Sequence, residues 1–327
     1  MKKNNYILGV ILIMGITIGV YFISINKEKS KKVTIVSVAT STTESEDAHF
    51  QLINPTITAN LGKHYIINFA PLKDTLVNIQ KKYGEKTYVY FLYLNNGVWV
   101  GLNEREVFKA ASMLKVPLAM SVFKMVEDKK INLDTTYILE EKDMDNRFGE
   151  LYKEGPGGVH SLKELVRIML EQSDNTAMHA IDTLLNRYGI ADPLSDVYTA
   201  FGWQYLEPPA INEAYNYADI NLKTLANMFL ALYNSTYLTP EHSEQILLYL
   251  SQTPFNEKIL EGVPNDVTVS HKIGIGGDTN TFSDCGIVYV PNQNYVACMG
   301  TSELSEQKAN EFMKETSSAI YNYVINN

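Results

Sequence analysis

Cysteine and histidine are scarce in this sequence. Only two cysteines occur, Cys285 and Cys298, and the six histidines are scattered, with no C-x-x-C or H-E-x-x-H spacing. This excludes a disulfide-dense scaffold, and we expect neither a metal site nor any other cofactor. We expect the two cysteines to be small buried core residues, with a disulfide between them as the alternative.

Basic residues are fewer than acidic residues. The chain has 28 lysine and arginine residues against 37 acidic residues, which gives a formal net charge of -9. An acidic surface repels phosphate backbones, so we expect no nucleic-acid partner. With 327 residues, of which 45% are hydrophobic, the chain is long enough for one large domain or two small ones.

A single long apolar run lies close to the N-terminus. Residues 1–5 form a short tail, and residues 6–25 are uncharged and mostly apolar. This length spans a bilayer core of ~30 Å, so we predict a transmembrane signal anchor, with a cleaved signal peptide as the alternative. Residues 26–65 are rich in Ser, Thr, Lys and Glu, which predicts a polar linker.

The hydrophobic pattern of residues 66–327 predicts a folded domain. Helical spacing over 72–83 and a hairpin at Asn95-Asn96-Gly97 come first. Three strands and a closing helix over 302–325 come last. The order predicts an α/β (α+β) fold in which the first two and last three strands form one five-stranded antiparallel sheet flanked by helices. An all-helical subdomain is inserted at about 112–260.

Three short motifs follow one another in this domain. Ser112 and Lys115 are three residues apart, which places both side chains on one face of a helix. A hydroxyl becomes a good nucleophile when a base takes its proton, and a desolvated lysine is able to do so. Ser173-Asp174-Asn175 falls between two predicted helices, and Lys272-Ile273-Gly274 lies in a predicted strand. Taken singly, the first motif also fits a chance pattern on a surface helix, and the second fits a helix N-cap.

These motifs and their order resemble those of class A β-lactamases and penicillin-binding-type serine hydrolases. The flanking stretches are similar too, and the likeness covers roughly Pro71 to the C-terminus. The resemblance implies a β-lactamase/transpeptidase-like fold and a serine hydrolase that acts on cyclic amides.

The resemblance also implies catalytic roles. Ser112 would be the acylated nucleophile, and Lys115 would accept its proton directly or through water. Ser173 would pass a proton to the leaving nitrogen. Lys272 would offer positive charge to a substrate carboxylate. Glu207 would be the base that activates water for deacylation.

Four further residues are implied as substrate contacts: Asn175, Ile273, Gly274 and Ile275. Asn175 would bind the amide side chain of the substrate. The backbone N–H groups of Ser112 and Ile275 would form the oxyanion hole. Lys272-Ile273-Gly274 is the strand motif against which the substrate carboxylate would lie.

The sequence departs from the family pattern at three places. Ile273 stands where the family usually has a threonine, so a carboxylate-binding hydroxyl is missing. No arginine follows Arg187, although many class A enzymes use a late arginine for that carboxylate. Glu207 is one residue too far from Asn212 for the family's E-x-x-x-N loop.

Three functions remain open on this basis. The first is a class A-like β-lactamase that acts on small-molecule β-lactams. The second is a membrane-anchored penicillin-binding-type D-Ala-D-Ala carboxypeptidase or transpeptidase. The third is a catalytically weak envelope relative that binds ligands. Such substrates lie outside the cytoplasmic membrane, so we expect a single-pass cell-membrane protein with an extracytoplasmic catalytic domain. Four lysines follow the apolar run and two precede it, which by charge alone favours the opposite orientation.

Overall fold

The computed structural model describes Leu52 and residues 67–109, 111–202, 219–276 and 280–327. The predicted anchor at 6–25 lies outside these ranges. Within them, no helix has the length and apolar character needed to cross a membrane. The anchor and the membrane attachment therefore stay predictions.

The main strands confirm the predicted sheet. They are β1 (Thr87–Tyr93), β2 (Trp99–Leu102), and, after four short strands, β7 (Thr268–Gly276), β8 (Thr281–Tyr289) and β9 (Tyr295–Thr301). They form one five-stranded sheet in the order β2-β1-β9-β8-β7, and every neighbouring pair is antiparallel. The first two strands thus pair with the last three, and β7 is an edge strand.

Eight α-helices occur in the described part of the chain. They are α1 (Ala70–Tyr83), α2 (Lys115–Glu127), α3 (Leu162–Glu171), α4 (Asn175–Arg187), α5 (Ser195–Ala200), α6 (Leu222–Tyr233), α7 (Pro240–Ser251) and α8 (Glu306–Ile325). Helices α1 and α8 pack against one face of the sheet, and α6 packs against the other. Each face has its own apolar core.

The inserted subdomain is not all-helical, so that prediction was wrong in detail. Short strands within it and at its start form two ribbons, β3 (Phe108–Lys109) with β6 (Asp219–Ile220) and β4 (Thr136–Ile138) with β5 (Val159–Ser161). Strands of two or three residues are too short to show an alternating pattern in the sequence, and their pairing depends on tertiary contacts.

Leu52 lies inside the predicted linker, yet its side chain is only 6% exposed. Its N–H donates to Glu244 Oε2 at 2.8 Å, and its carbonyl accepts from the Tyr289 hydroxyl at 2.8 Å. At this position the chain packs on the domain, because both its apolar side chain and its backbone groups find partners there.

The two cysteines are confirmed as buried core residues. Cys285 on β8 faces Cys298 on β9 in direct register, and both are fully buried. The structure joins them in a disulfide, so the expectation of two unlinked residues was wrong and the alternative holds. Directly opposed residues of an antiparallel pair bring their side chains together, which places the two sulfurs in reach of each other.

Candidate active site

Ser112 lies in a short 3-10 helix, Ala111–Leu114, that leads directly into α2. Ala111 has a left-handed backbone (φ 49°), which is uncommon for a residue with a Cβ and turns the chain sharply before the serine. Lys115 is the first residue of α2, one helical turn after Ser112. Its Nζ lies 3.2 Å from Ser112 Oγ. The spacing of the two residues therefore places amine and hydroxyl in hydrogen-bond contact.

The Lys115 side chain is enclosed by neutral oxygen atoms. It is 1% exposed, and Nζ donates to the Ser173 carbonyl and to Asn175 Oδ1, the latter at 2.7 Å. Ser173 Oγ lies 3.4 Å from the same nitrogen. The first and second motifs thus meet at one amine, as the family resemblance implied.

Burial lowers the pKa of Lys115 from its usual value near 10.5 to about 7. The carboxylates of Asp174 and Asp145 oppose this by favouring the charged form, and the Arg147 guanidinium adds to it. A neutral amine is therefore well populated at physiological pH. Only the neutral amine is able to accept the Ser112 proton, so the shift suits a general base.

From the sequence, Ser173-Asp174-Asn175 fits either a helix N-cap or a part of the catalytic site. Different residues of this motif account for the two interpretations. Asp174 caps α4, because its carboxylate accepts from the Ala177 N–H at 2.8 Å, and it also accepts from the Leu151 N–H at 2.8 Å. Ser173 has a left-handed backbone (φ 55°) and is fully buried. The capping role thus falls to Asp174, while Ser173 and Asn175 face Lys115.

Lys272 approaches the same place from β7. The 3-10 helix that carries Ser112 packs alongside this strand. Burial lowers the pKa of Lys272 well below its usual value, the charge on Lys115 lowers it further, and Asp284 opposes the shift. Its Nζ lies 3.3 Å from the Ile273 carbonyl. No carboxylate in the described part of the chain forms an ion pair with it.

A model of the beta-lactamase enzyme family matches residues 71–324. The chain belongs to the beta-lactamase enzyme family. The extended-spectrum beta-lactamase PER-1 of Pseudomonas aeruginosa is 26% identical over 207 residues. The match covers 58% of this chain and 66% of PER-1, so the chain spans just under two thirds of that relative.

Several solved structures share this fold. PBP-A superposes with a TM-score of 0.69 at 23% identity, over 79% of this chain and 97% of PBP-A. A beta-lactamase from Xanthomonas campestris pv. campestris gives a TM-score of 0.70 at 20% identity, over 79% of this chain and 100% of that one. At such identities the likeness concerns the fold alone.

The expected substrate contacts on β7 lie beside Lys272. Ile273 is 3% exposed, Gly274 is buried and Ile275 is half-buried. As an edge strand, β7 leaves alternate backbone N–H and C=O groups without a strand partner, which is the type of group an oxyanion hole needs. Glu207 lies in residues 203–218, outside the described part of the chain, and its role stays a prediction.

One feature of this beta-lactamase-family site was not predicted from the sequence. Met144, Asp145, Asn146, Arg147 and Tyr152 line a cavity of about 430 Å³. Asp145 joins it to α4, because its N–H donates to the Thr176 hydroxyl at 3.0 Å and its carboxylate lies 3.3 Å from His179 Nε2. The stretch has no apolar periodicity, so only its density of polar side chains marks it in the sequence. In the described ranges, no group of three or more His, Cys, Asp or Glu side chains forms a metal site.

Proposed function

We propose that this chain is a class A-like β-lactamase that opens β-lactam amides through an acyl-enzyme on Ser112. One observation supports this most: a buried amine with a pKa of about 7 lies 3.2 Å from the Ser112 hydroxyl. Acyl transfer requires such a nucleophile with its base in hydrogen-bond contact.

In the proposed acylation, neutral Lys115 accepts the Ser112 proton while Oγ attacks the lactam carbonyl carbon. The backbone N–H groups of Ser112 and Ile275 would stabilise the oxyanion. The C–N bond then breaks, and the proton reaches the leaving nitrogen through the Ser173 hydroxyl, which lies 3.4 Å from Lys115 Nζ. The product of this step is an ester on Ser112 with the ring opened.

Lys272 would bind the substrate carboxylate. Its ammonium form is costly because burial and the charge on Lys115 both disfavour it. An arriving carboxylate supplies the missing opposite charge. Electrostatic attraction from Lys272 would then serve in place of the absent threonine hydroxyl at Ile273 and the absent late arginine.

Hydrolysis of the acyl-enzyme would use Glu207 as the base for water. The second candidate function is a penicillin-binding-type D-Ala-D-Ala carboxypeptidase or transpeptidase. The shifted spacing between Glu207 and Asn212 favours it. The fold likeness to PBP-A adds weight, since a variant of PBP-A was solved as an acyl-enzyme complex with penicillin G. A catalytically weak ligand-binding relative is the third candidate.

Turnover separates the three candidates. The full chain is incubated with a chromogenic cephalosporin, and hydrolysis is followed together with the intact mass of the protein. Fast turnover that is lost in Glu207→Gln and kept in Glu213→Gln, a change of another acid in the same stretch, supports the β-lactamase. A persistent adduct on Ser112 supports the penicillin-binding type. Absence of both adduct and turnover supports the third candidate.

We also propose that residues 6–25 anchor the protein in the cell membrane with the catalytic domain outside the cytoplasm. The support is the uncharged apolar run of adequate length and the extracytoplasmic occurrence of such substrates. A C-terminal tag on intact cells should be accessible to an impermeant reagent. A tag that becomes accessible only after lysis would contradict this orientation.

A further inference from the structure

The amine that would bind the substrate carboxylate is covered. Lys272 is 2% exposed, and its Nζ donates to the Ile273 carbonyl at 3.3 Å. An ammonium forms an ion pair with a carboxylate only when the two groups are within about 4 Å of each other. A substrate carboxylate therefore reaches Lys272 only if the groups that cover the amine leave it room, and those groups limit which substrates are able to bind.

The ring of Phe255 is part of this cover. Phe255 lies between α7 and β7 and is half-buried. Lys272 Nζ is placed over its ring, 5.8 Å from the ring centroid. This distance is at the outer limit of the attraction between a cation and an aromatic face. The ring thus takes the place of water beside the amine and supplies little compensation for its charge, so a carboxylate is still a favourable partner.

Phe148 contacts that ring from the side of the second motif. The two ring centroids are 5.5 Å apart, and the ring planes are tilted by 46°. The Phe148 carbonyl accepts from the N–H of Asn175, the first residue of α4, at 3.0 Å. The next residue, Gly149 (φ 92°), packs so closely on Asp174 that an added Cβ would lie 2.1 Å from Asp174 Oδ2. The backbone that carries Phe148 is therefore fixed against Ser173-Asp174-Asn175.

The ring contact thus spans the cleft between the second motif and Lys272. We propose that Phe148 and Phe255 are specificity-determining residues: their contact closes the cleft over Lys272, and a substrate carboxylate reaches the amine only by fitting beside the rings or by separating them. The contact of two half-buried rings is weak enough to open when a substrate binds. Substrates with a large group next to the carboxylate should therefore be disfavoured. This inference rests on the proposed binding of the substrate carboxylate by Lys272.

The first test measures access to Lys272 in the absence of substrate. The full chain is treated with acetic anhydride near pH 10, close to the usual pKa of lysine, so that protonation does not limit the reaction. Peptide mass then gives the acetylation rate of each lysine. We expect Phe255→Ala and Phe148→Ala each to raise the rate at Lys272 roughly threefold to tenfold, which corresponds to the loss of one aromatic contact. An unchanged rate in both variants would overturn the inference.

Lys258 is the internal reference for the labelling. It is fully buried, and its Nζ lies 3.1 Å from Glu257 Oε2, so its acetylation should stay slow in every variant. A rise at Lys258 together with Lys272 would mean that the substitution has loosened the fold. Phe255→Leu, which keeps an apolar side chain but removes the ring, then replaces Phe255→Ala. It must raise the rate at Lys272 alone, and any other result contradicts the proposal.

The second test compares two substrates. Cephalothin and nitrocefin carry the same amide side chain, and nitrocefin has the larger group next to the carbon that bears the carboxylate. We expect Phe255→Ala to lower the half-saturating concentration for acylation by nitrocefin roughly threefold to tenfold relative to that for cephalothin. The acylation rates at saturation should be nearly unchanged. A merely structural role would alter both substrates alike, and that result would refute the inference.

Trp99→Ala is the matched control. Trp99 stacks on Tyr90 with ring centroids 5.6 Å apart, and Lys223 Nζ lies 4.6 Å from the centroid of its ring. It lies on β2, at the opposite edge of the sheet from β7. This variant loses an aromatic contact of the same kind, and it should change neither the labelling of Lys272 nor the preference between the substrates. An equal change in Trp99→Ala would count against a special role for the two rings of the cleft.

The outcomes also distinguish this inference from the proposed function. If the wild-type chain acylates on Ser112 while both variants keep its labelling and its substrate preference, the inference fails and the proposed function stands. If the wild-type chain forms no adduct on Ser112, the proposed function fails, and the role of the two rings in β-lactam specificity fails with it. The labelling result still decides in that case whether the rings cover Lys272.

Discussion

Two neighbouring residues of β7 carry buried ionisable side chains that have contrasting surroundings. His271 and Lys272 point to opposite faces of the sheet, and both are buried. Under α8, His271 Nδ1 lies 2.9 Å from Asp284 Oδ1, in a pair that is fully buried on both sides. On the cleft side, the oxygens within hydrogen-bond distance of Lys272 and Lys115 are all uncharged among the residues that the structure describes.

The difference teaches where the fold gains stability and where it retains reactivity. A buried carboxylate held by hydrogen bonds is consistent with a structural role, and Asp284 accepts from the Ile259 N–H at 3.1 Å in addition to its contact with His271 Nδ1. Burial disfavours the charged forms of Lys115 and Lys272, which have no carboxylate partner within the described ranges. Such amines are poor stabilisers of the fold, and they are suited to exchange protons and to receive an anionic substrate.

The largest expected effect separates a serine in the cleft from a buried serine on α8. Ser112→Ala should reduce acylation by benzylpenicillin about 10³-fold or more, because the attacking oxygen is removed. Ser317→Ala is the control: this hydroxyl donates to the Ile259 carbonyl at 2.8 Å and should affect stability alone. Intact mass after timed incubation measures both. An adduct that persists in Ser112→Ala would contradict the assignment.

The next effect compares two buried lysines. Lys115→Met should lower the acylation rate about 10²-fold to 10⁴-fold, because the base is lost while the side-chain volume is nearly kept. Lys258→Met is the matched variant. Lys258 is also fully buried, but its Nζ lies 3.1 Å from Glu257 Oε2, away from the motif residues. Equal losses of acylation rate in the two variants would contradict a special role for the buried lysine of the cleft.

A substitution in the His271–Asp284 pair should lower stability and leave the acylation rate nearly unchanged. Asp284→Asn should lower the free energy of unfolding by about 2 kcal/mol, because the buried hydrogen bonds that the carboxylate accepts are weakened. The acylation rate should change less than about threefold. Urea unfolding and the intact-mass assay measure the two quantities. A large loss of rate with unchanged stability would mean that the pair belongs to the catalytic cleft.

The smallest effect is in the pH dependence of stability. The folded state lowers the pKa of Lys115 to about 7, so between pH 7 and the unfolded value near 10.5 the unfolded chain binds more protons there. Stability from this residue therefore rises with pH in that window, and the penalty is complete below pH 7. The stability of the wild type relative to Lys115→Met should improve from pH 7 to 9, by about 1 kcal/mol or more. A difference that stays flat would contradict the buried, shifted amine.

Much of the fold could be predicted because local patterns and tertiary structure agree. The hairpin turn at Asn95-Asn96-Gly97 predicted two strands that the structure contains. Ser161 and Glu164 have the spacing typical of a helix N-terminus, and the Ser161 hydroxyl accepts from the Glu164 N–H in the structure. The pairing of β4 with β5 was not predictable, because these strands depend on contacts between distant segments and on no pattern of their own.

The site was predictable only where its residues fall into ordered motifs. Ser112, Lys115, Ser173 and Asn175 were identified by spacing and by likeness to a family, and the structure brings them together. Asp145 was not found, since a lone acid in a polar loop resembles any solvated loop residue. Its contacts with Thr176 and His179 on α4 are a property of the fold.

The central claim is that buried Lys115 activates Ser112 as a neutral base near physiological pH. The most direct test is the rate at which benzylpenicillin acylates Ser112 between pH 5.5 and 9, with the adduct located by peptide mass. We predict an adduct on Ser112 whose rate rises with pH through a midpoint near 7, following the pKa of Lys115. An adduct on another residue, or a rate that does not change over this range, would contradict the account.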